Sequence, residues 1–343
     1  MKNKFLKGAL VLSCLMLSTS LFAQYAGYTL VWQDEFNGGY SNADANGLDM
    51  DSWNYETGTG DGGWGTGQRD YSTTDRENVE VSGGTLKVRT QRNNPNQTHE
   101  YTSGRLNSKN KRAFLYGKME ARIRTENMTE PGRGFAFWMM PNALPPGTNN
   151  LMWPQGGEID IFEYNGLYPR YNLGSVHYAW NWNNNGWGGD GNHAQASGTY
   201  NPFNRGVKPG ISGRDGCGGS GMTTEKTNVL GAEWHVYGIN WFADRIEFYV
   251  DQDVYHIFYL NQNKWCGDEV TNAMGNKALA TGWTFDQNGF PENWKAFENP
   301  FYFIISAGVG GDRTYGGNIT SGNNPDQWTC TTEIDWVRAY KYD

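Results

Sequence analysis

Three carboxylates stand within six residues of this chain, in the run Gly157-Glu158-Ile159-Asp160-Ile161-Phe162-Glu163-Tyr164. Since alternate residues of a β-strand share a face, Glu158 and Asp160 would point the same way, with Ile159 directed into a core. Glu163 follows Glu158 by five positions, which puts it on the opposite face of a regular strand. One extra residue, a β-bulge near Ile161-Phe162, would return Glu163 to the face of the other two, and bulges are frequent beside active sites.

The spacing that such a bulge creates suits the cleavage of glycosidic bonds. Four effective steps would separate Glu158 from Glu163, about 13 Å between Cα atoms at ~3.3 Å per residue. Side chains that reach inward by roughly 3–4 Å would bring the carboxylates to about 5–6 Å, the separation associated with retaining glycoside hydrolysis. The alternative is a solvated strand face that carries three acids, which needs a compensating partner because clustered like charges repel.

Strands are the elements that must hold these carboxylates. Alternating or continuous apolar runs predict strands at 85–89, 118–124, 134–140, 174–180, 245–250, 301–307 and 334–340. Residues 134–140 are apolar throughout and are expected to be buried on both faces of a sheet. Turn signals such as Gly83-Gly84 separate the runs, and the sequence has no long amphipathic helix. Many short strands joined by turns predict an all-β sandwich or jelly roll.

The amino-acid composition favours some classes of binding partner and argues against others. Its 15 Trp, 20 Tyr and 16 Phe either pack a β core or stack on the apolar faces of sugars. The formal net charge of −8 argues against nucleic-acid binding, which requires a basic patch. It also disfavours polyanionic substrates such as sulfated galactans. No protein partner is indicated, and we expect a monomer.

The first 23 residues have the pattern of a signal peptide. Three lysines precede a mostly apolar run over residues 8–22, and Ala23-Gln24 fits a cleavage point. The run is too short for a comfortable membrane span. We therefore expect export, to the periplasm or out of the cell, and a single catalytic domain over residues 24–343. Cleavage removes three lysines and no acid, so the net charge falls from −8 to −11.

Three cysteines follow the predicted signal peptide: Cys217, Cys266 and Cys330. At least one of them must be unpaired. Cys217 and Cys266 lie in polar or glycine-rich loop sequence. They could form a disulfide with each other or remain as two free thiols, and the sequence leaves both alternatives open.

Five blocks of the chain resemble, in order, those of the family 16 glycoside hydrolases, and among them the bacterial laminarinase-like endo-β-glucanases. The blocks are residues 30–38, 101–106 with 116–122, 153–163, 301–311 and 334–338. They extend over nearly all of the chain after residue 23, and the block at 153–163 is specific. The resemblance implies a β-jelly-roll sandwich of two curved antiparallel sheets, whose concave face forms an open cleft.

The resemblance also assigns roles to the three carboxylates. It implies that Glu158 is the nucleophile, Glu163 the acid/base and Asp160 a supporting carboxylate. The physical argument agrees, because nearby negative charge raises the pKa of Glu163 and keeps it protonated for the leaving oxygen. No cofactor is needed for this chemistry.

Five further residues are candidates for contact with the sugar chain. Trp153 and Trp138 would stack on sugars, with core packing as the alternative for each. His177 would line the cleft near the acid/base, although a lone strand histidine is often only a hydrogen-bonded structural residue. Arg105 and Arg133 would bind hydroxyl groups or else lie at the surface.

Members of the family often carry a structural calcium ion away from the cleft. The matching positions here are the Asp335 carboxylate and the Gly84 carbonyl, with Glu35 nearby, and calcium favours oxygen ligands. The chain departs from the family at residues 64–70, which read Trp-Gly-Thr-Gly-Gln-Arg-Asp where Trp-Gly-Asn-x-Glu-x-Gln is common. That segment can shape the cleft, so linkage specificity stays open.

These observations lead to a secreted, retaining endo-β-glucanase that cuts β-1,3 or mixed β-1,3/1,4 glucans. Two alternatives remain. One is an agarase-type or porphyranase-type galactan hydrolase on the same fold. The other is a non-catalytic glucan-binding protein, which would not need both Glu158 and Glu163.

Overall fold

The computed structural model describes residues 27–93, 99–143, 153–154, 156–179, 193–202, 211–212, 224–263, 267–283, 296–311, 317, 319 and 324–343. The predicted signal peptide, Cys217 and Cys266 lie outside these ranges. Helical structure within them is limited to two short turns, at Gly63–Gly67 and Leu230–Ala232. In the described part of the chain, therefore, no helix has the length and apolar character needed to cross a membrane.

Strands make up most of the described chain. Numbered in chain order, they are β1 (Tyr28–Asp34), β2 (Asn54–Tyr55), β3 (Tyr71–Ser72), β4 (Val79–Ser82), β5 (Thr85–Arg92), β6 (Tyr101–Ser103), β7 (Arg105–Asn107), β8 (Ala113–Phe114), β9 (Gly117–Glu126), β10 (Arg133–Pro141), β11 (Glu158–Asn165), β12 (Asn172–Ala179), β13 (His193–Tyr200), β14 (Ile211–Ser212), β15 (His235–Trp241), β16 (Arg245–Val250), β17 (Asp253–Asn263), β18 (Asp268–Thr271), β19 (Lys277–Trp283), β20 (Phe301–Val309) and β21 (Trp328–Tyr342).

These strands form two sheets. Twelve strands build the larger sheet, in the order β18-β19-β17-β16-β15-β9-β21-β5-β6-β3, with β1 beside β21 and β4 beside β5. Nine strands build the second, in the order β14-β13-β12-β11-β10-β20-β7-β2, with β8 beside β20. Most neighbours are antiparallel, and β17–β19 and β3–β6 are parallel pairs. The predicted all-β sandwich is confirmed.

The core between the two sheets is built largely from aromatic rings. Phe162 on β11 packs on Tyr237 of the larger sheet, with ring centroids 4.2 Å apart. Phe137 on β10 stacks on Phe303 of β20 at 5.2 Å. All four rings are fully buried. Because burial of such large apolar surfaces dominates the stability of a β-sandwich, these rings hold β10, β11 and β20 in fixed positions.

All seven strands predicted from the sequence are present, as β5, β9, β10, β12, β16, β20 and β21. The expectation that residues 134–140 are buried on both faces is wrong. Phe135 and Phe137 on β10 are buried, whereas Ala136 and Trp138 are partly exposed. Small and aromatic side chains therefore line one open face of the nine-stranded sheet, and the same face of β11 carries the carboxylates.

Candidate active site

The β-bulge predicted within β11 is confirmed. Against β10, Phe137 pairs with Phe162 and Trp138 pairs with Asp160, so Ile161 is an extra residue in the ladder. Against β12, Asp160 and Glu163 are three residues apart, but their partners Ser175 and Leu173 are only two apart. The extra residue reverses the alternation, and Glu158 and Glu163 are both partly exposed while the residues between them are buried.

Asp160 lies at the centre of a hydrogen-bonded group that includes Glu158. Its Oδ2 atom accepts a 2.7 Å hydrogen bond from Ser175 Oγ and lies 3.0 Å from His177 Nε2. His177 Nε2 also lies 3.8 Å from Glu158 Oε1. Trp153 Nε1 donates a 2.7 Å hydrogen bond to the other carboxylate oxygen, Glu158 Oε2. Glu158 is therefore held from both sides, and His177 bridges it to Asp160.

Glu163 has a different setting from Glu158. Its backbone N–H donates a 3.2 Å hydrogen bond to Asn172 Oδ1. Its side-chain Oε2 is buried and has no hydrogen-bond partner among the described residues. The carboxylate lines a cavity of about 110 Å³. The other walls include Gln68, Ala136 and Ser306. Glu163 therefore has one carboxylate oxygen without a hydrogen-bond partner among the described residues, and the residue borders a cavity.

Burial and charge raise the pKa of both glutamates. For Glu158, burial is the larger cause and the charge of Asp160 adds to it, whereas His177 and the hydrogen bond from Trp153 lower the pKa. For Glu163, burial is again the larger cause, Asp160 and Glu158 add to it, and His177 lowers the pKa. Of the two, Glu158 has the hydrogen bond that favours an ionised carboxylate, and this difference favours a proton on Glu163 over one on Glu158.

His177 supplies the positive charge that this acidic group needs. Burial lowers its pKa, but Glu158 and Asp160 raise it by more, so the pKa lies above its ordinary value. The raised pKa favours the cationic imidazole, which would compensate the clustered carboxylates. One ligand atom each from Glu158, Asp160 and His177 lies within 4.8 Å of the others, a grouping that would also suit a metal ion.

Comparison with known proteins agrees with this geometry. The model for glycosyl hydrolases family 16 matches residues 67–204. A beta-glucanase of Rhodothermus marinus is 30% identical to this chain over 345 residues, which is 99% of this chain and 94% of that protein. The chain belongs to glycosyl hydrolase family 16. The predicted family is thereby confirmed, and the chain is a glycoside hydrolase.

Two further comparisons support the family and the fold. Glucan endo-1,3-beta-glucosidase A1 of Niallia circulans is 29% identical over 331 residues, 92% of this chain. This chain spans only 38% of that longer protein. The laminarinase structure from Rhodothermus marinus superimposes with a TM-score of 0.62 at 27% identity, covering 92% of this chain and 98% of that one. The predicted jelly-roll fold is confirmed.

A stack of side chains stands beside the carboxylates of this family 16 enzyme. Trp138, opposite Asp160 on β10, donates a 3.0 Å hydrogen bond from Nε1 to Ser306 Oγ. The Arg105 guanidinium lies 5.3 Å from the Trp138 ring and 4.3 Å from the Trp64 ring. Arg105 Nε also pairs with Glu56 Oε2 at 2.6 Å. The predicted sugar-binding residues Trp138 and Arg105 are thus brought to the carboxylates, together with Trp64 from the segment that departs from the family.

Arg133 borders the cavity that Glu163 lines, but its guanidinium points away from it. It shares the core-facing side of β10 with Phe135 and Phe137, and it is buried. Its guanidinium lies 4.3 Å from the ring of Trp328 on the larger sheet, and Nη1 donates to the Asn127 carbonyl at 3.4 Å. The structure therefore places this guanidinium between the sheets and not with the carboxylates. The sequence could have shown this, because alternate residues of a strand share a face, and Arg133 is on the same face of β10 as the buried Phe135 and Phe137.

The residues predicted to bind calcium lie close together but do not fit the ion as they are placed. Glu35 follows β1, Gly84 precedes β5, and Asp335 lies on β21, which pairs with both strands. Glu35 makes a bidentate ion pair with Arg338, at 2.7 and 2.9 Å. Asp335 Oδ2 lies 2.5 Å from Arg122 Nη1. Calcium requires carboxylate oxygens that are free to coordinate, and guanidinium groups already engage both oxygens of Glu35 and Oδ2 of Asp335.

Ser175 and Asn172 were missed in the sequence, and Gln68 was recognised only as part of the segment 64–70. Ser175 and Asn172 belong to β12, and their contacts with β11 depend on a register that no local pattern reveals. Gln68 lies in a loop that packs over β20, where a Cβ atom at Gly308 would come within 2.9 Å of the Gln68 side chain. The glycine at 308 is the one available signal, because it indicates a close approach of another segment.

Proposed function

We propose that this chain is an exported, retaining endo-β-glucanase that cleaves internal β-1,3 bonds of glucans. The observation that supports it best is the β-bulge at Ile161, because it turns Glu158 and Glu163 to one face of β11. One of these carboxylates has two neighbouring donors and the other has a side-chain oxygen with no partner among the described residues. That difference suits a nucleophile and an acid/base.

The proposed reaction has two steps at the anomeric carbon. In the first, Glu158 attacks the sugar and Glu163 donates its proton to the leaving glycosidic oxygen, which yields a covalent glycosyl-enzyme. In the second, Glu163 accepts a proton from water, and the water displaces Glu158 from the sugar. Asp160 and His177 keep Glu158 oriented between the steps. Two inversions restore the original configuration of the anomeric carbon.

The proposed β-1,3-glucan specificity is supported by the similarity of the chain to known glucanases and by the chemistry of the cleft. The relatives described above are a beta-glucanase, a glucan endo-1,3-beta-glucosidase and a laminarinase. Trp138 and Trp64 offer flat rings for neutral sugars, and the acidic net charge of the chain disfavours sulfated galactans. Mixed β-1,3/1,4 glucans belong to the proposal as further substrates.

Two experiments test the proposal. Glu158→Gln and Glu163→Gln should each remove turnover of laminarin while the protein keeps its melting temperature, and proton NMR of early products should show the β-anomer. Reducing-end release should then be compared on laminarin, lichenan, barley glucan, agarose and porphyran. Release from agarose or porphyran alone would favour the galactan hydrolase. Binding without release on any substrate would favour the non-catalytic glucan-binding protein.

Export and a monomeric state complete the proposal. N-terminal sequencing of the secreted protein should begin near Gln24. Light scattering after gel filtration should give the mass of a single chain.

A further inference from the structure

The β-bulge in β11 leaves two backbone groups outside the regular ladder. Between the pairs Asp160–Ser175 and Glu163–Leu173, β11 has two residues where β12 has only Gly174. The Ile161 carbonyl and the Glu163 N–H border this gap. Since buried backbone groups must find hydrogen bonds, something other than the ladder has to supply partners for them.

The side-chain amide of Asn172 supplies both partners. Its Nδ2 donates to the Ile161 carbonyl at 3.1 Å, and its Oδ1 accepts from the Glu163 N–H at 3.2 Å. Asn172 has no exposed surface. The carboxamide therefore spans the bulge and takes the place of the missing ladder bonds.

A third contact fixes the amide itself. Asn172 Nδ2 also donates to the hydroxyl of Tyr255 at 3.0 Å, and Tyr255 lies on β17 of the larger sheet. A Cβ atom at Gly174 would come within 2.1 Å of that hydroxyl and 2.7 Å of the Phe248 ring. A glycine at position 174 is therefore needed for the tyrosine to reach the amide, and the bulge is linked to the opposite sheet.

The orientation of the Glu163 carboxyl group depends on the position of its backbone more than that of the Glu158 carboxyl group does. Trp153 donates a hydrogen bond to one oxygen of Glu158, and His177 Nε2 lies 3.8 Å from the other. The Oε2 atom of Glu163 has no such partner among the described residues. When a side chain has little to orient it, the position of its own backbone sets where its carboxyl group lies.

We propose that Asn172 is a positioning residue for Glu163: its amide clamps the bulge and so directs the Glu163 carboxyl group at the leaving glycosidic oxygen. This inference rests on the proposed function, in which Glu163 is the acid/base. Asn172 touches no substrate and acts only through the backbone of Glu163. A shift of about 1 Å in a reacting group can reduce a rate by about 100-fold, so this clamp would matter for proton transfer.

The test compares two aryl glycosides of a short β-1,3-glucan, one with a good leaving group (2,4-dinitrophenol) and one with a poor leaving group (4-methylphenol). Protonation by Glu163 is needed only for the poor one. In Asn172→Ala, we expect kcat/KM to fall by about 10- to 100-fold for the poor leaving group and by much less for the good one. Equal losses on both substrates in a folded variant would overturn the proposal.

Asn78→Ala is the matched control. Asn78 is also a buried asparagine whose amide bonds a backbone carbonyl, that of Arg89 at 3.2 Å, but it lies in the turn before β4 of the larger sheet. Its loss should lower the melting temperature without any dependence on the leaving group. A similar leaving-group dependence in this control would show that general destabilisation causes the effect, and would overturn the proposal.

A double-mutant cycle separates this inference from the proposed function. Glu163→Gln alone should lower kcat/KM for the poor leaving group strongly, and adding Asn172→Ala should lower it no further, because the two residues act as one unit. Full activity of Glu163→Gln would overturn the proposed function itself. A Glu163→Gln variant with a strongly lowered but measurable kcat/KM, combined with a further, additive loss from Asn172→Ala, would overturn only the role of Asn172.

A second variant covers the case in which Asn172→Ala does not fold. Asn172→Asp keeps an oxygen that can accept from the Glu163 N–H and removes the amide donors. The leaving-group dependence should appear in this variant as well, in smaller degree. Its absence in folded Asn172→Asp would overturn the proposal.

Discussion

The indole Nε1 of Trp153 donates a 2.7 Å hydrogen bond to Oε2 of Glu158, the residue proposed as nucleophile. This bond favours the ionised form of Glu158 and lowers its pKa against the effect of burial. Glu163 lies in the same buried, acidic surroundings without a side-chain donor among the described residues. The two glutamates therefore differ in hydrogen bonding more than in charge, and this difference supports the roles proposed for them.

Removal of the indole donor should weaken the nucleophile. In Trp153→Phe the ring remains but the hydrogen bond to Glu158 is lost, so the pKa of Glu158 should rise. We expect the acidic limb of the kcat/KM profile on laminarin to move to higher pH. At the optimum, kcat/KM should fall by roughly 10- to 150-fold, since a hydrogen bond to a charged group contributes about 1.5–3 kcal/mol. An unchanged acidic limb would show that Trp153 serves only as a sugar-stacking ring.

Replacement of His177 by a neutral residue should raise the pKa of both Glu158 and Glu163. His177 lowers the pKa of Glu158 and of Glu163. In His177→Asn both values should rise, and both limbs of the pH–activity profile should move to higher pH. His235→Asn is the control, because His235 also pairs with a carboxylate, Asp251, at 2.5 Å but on the larger sheet. The control should keep the wild-type profile, and a shift of one limb only in His177→Asn would contradict the proposed coupling.

A second histidine should make the fold sensitive to acid. His256 is fully buried, with Nδ1 3.2 Å from the Gly174 carbonyl and Nε2 2.8 Å from Thr281 Oγ1. Burial lowers its pKa to about 3. Above pH ~6.5 the residue is neutral in both the folded and the unfolded state. Below that value the unfolded chain binds a proton that the folded chain excludes, so the free energy of unfolding falls by up to about 1.4 kcal/mol per pH unit.

His256→Asn should remove this dependence. Urea unfolding between pH 7.5 and 4.5 should show a shallower loss of stability in the variant than in the wild type, although the variant is less stable at pH 7.5. Parallel curves for the two proteins would mean that other groups cause the acid sensitivity.

The sequence predicted the carboxylates and the bulge for a physical reason. Both follow from the two-residue period of a strand, which makes the five-residue gap between Glu158 and Glu163 conspicuous. Asn172 has no such signal, because its contact with Ile161 depends on how β12 pairs with β11 across a turn. The prediction that the apolar run 134–140 is buried on both faces was wrong for another reason. Side chains that face sugars and side chains that face a core have the same chemical character, so burial could not be read from their type.

A chelator should leave the melting temperature unchanged. The resemblance to the family assigns calcium to Glu35, Gly84 and Asp335, but Arg338 and Arg122 already neutralise the two carboxylates. We therefore expect the same melting temperature in EDTA as in millimolar calcium, measured by differential scanning calorimetry. A clear decrease in EDTA, absent in Asp335→Asn, would instead support the calcium site and show that the ion displaces the arginines.

A negative charge placed in the cavity beside Glu163 should raise the pKa of this residue, the proposed acid/base. Gln68 lies in the segment 64–70, where the resemblance to the family would place a glutamate, and it lines the same cavity as Glu163. In Gln68→Glu a negative charge enters that cavity, disfavours ionisation of Glu163 and should raise its pKa. The alkaline limb of the pH–activity profile should then move up by on the order of half a pH unit. Gln91→Glu, on the larger sheet, adds the same charge far from the carboxylates and should leave the limb in place. Equal shifts in the two variants would reflect net charge alone, and no shift in either would mean that the alkaline limb does not report Glu163.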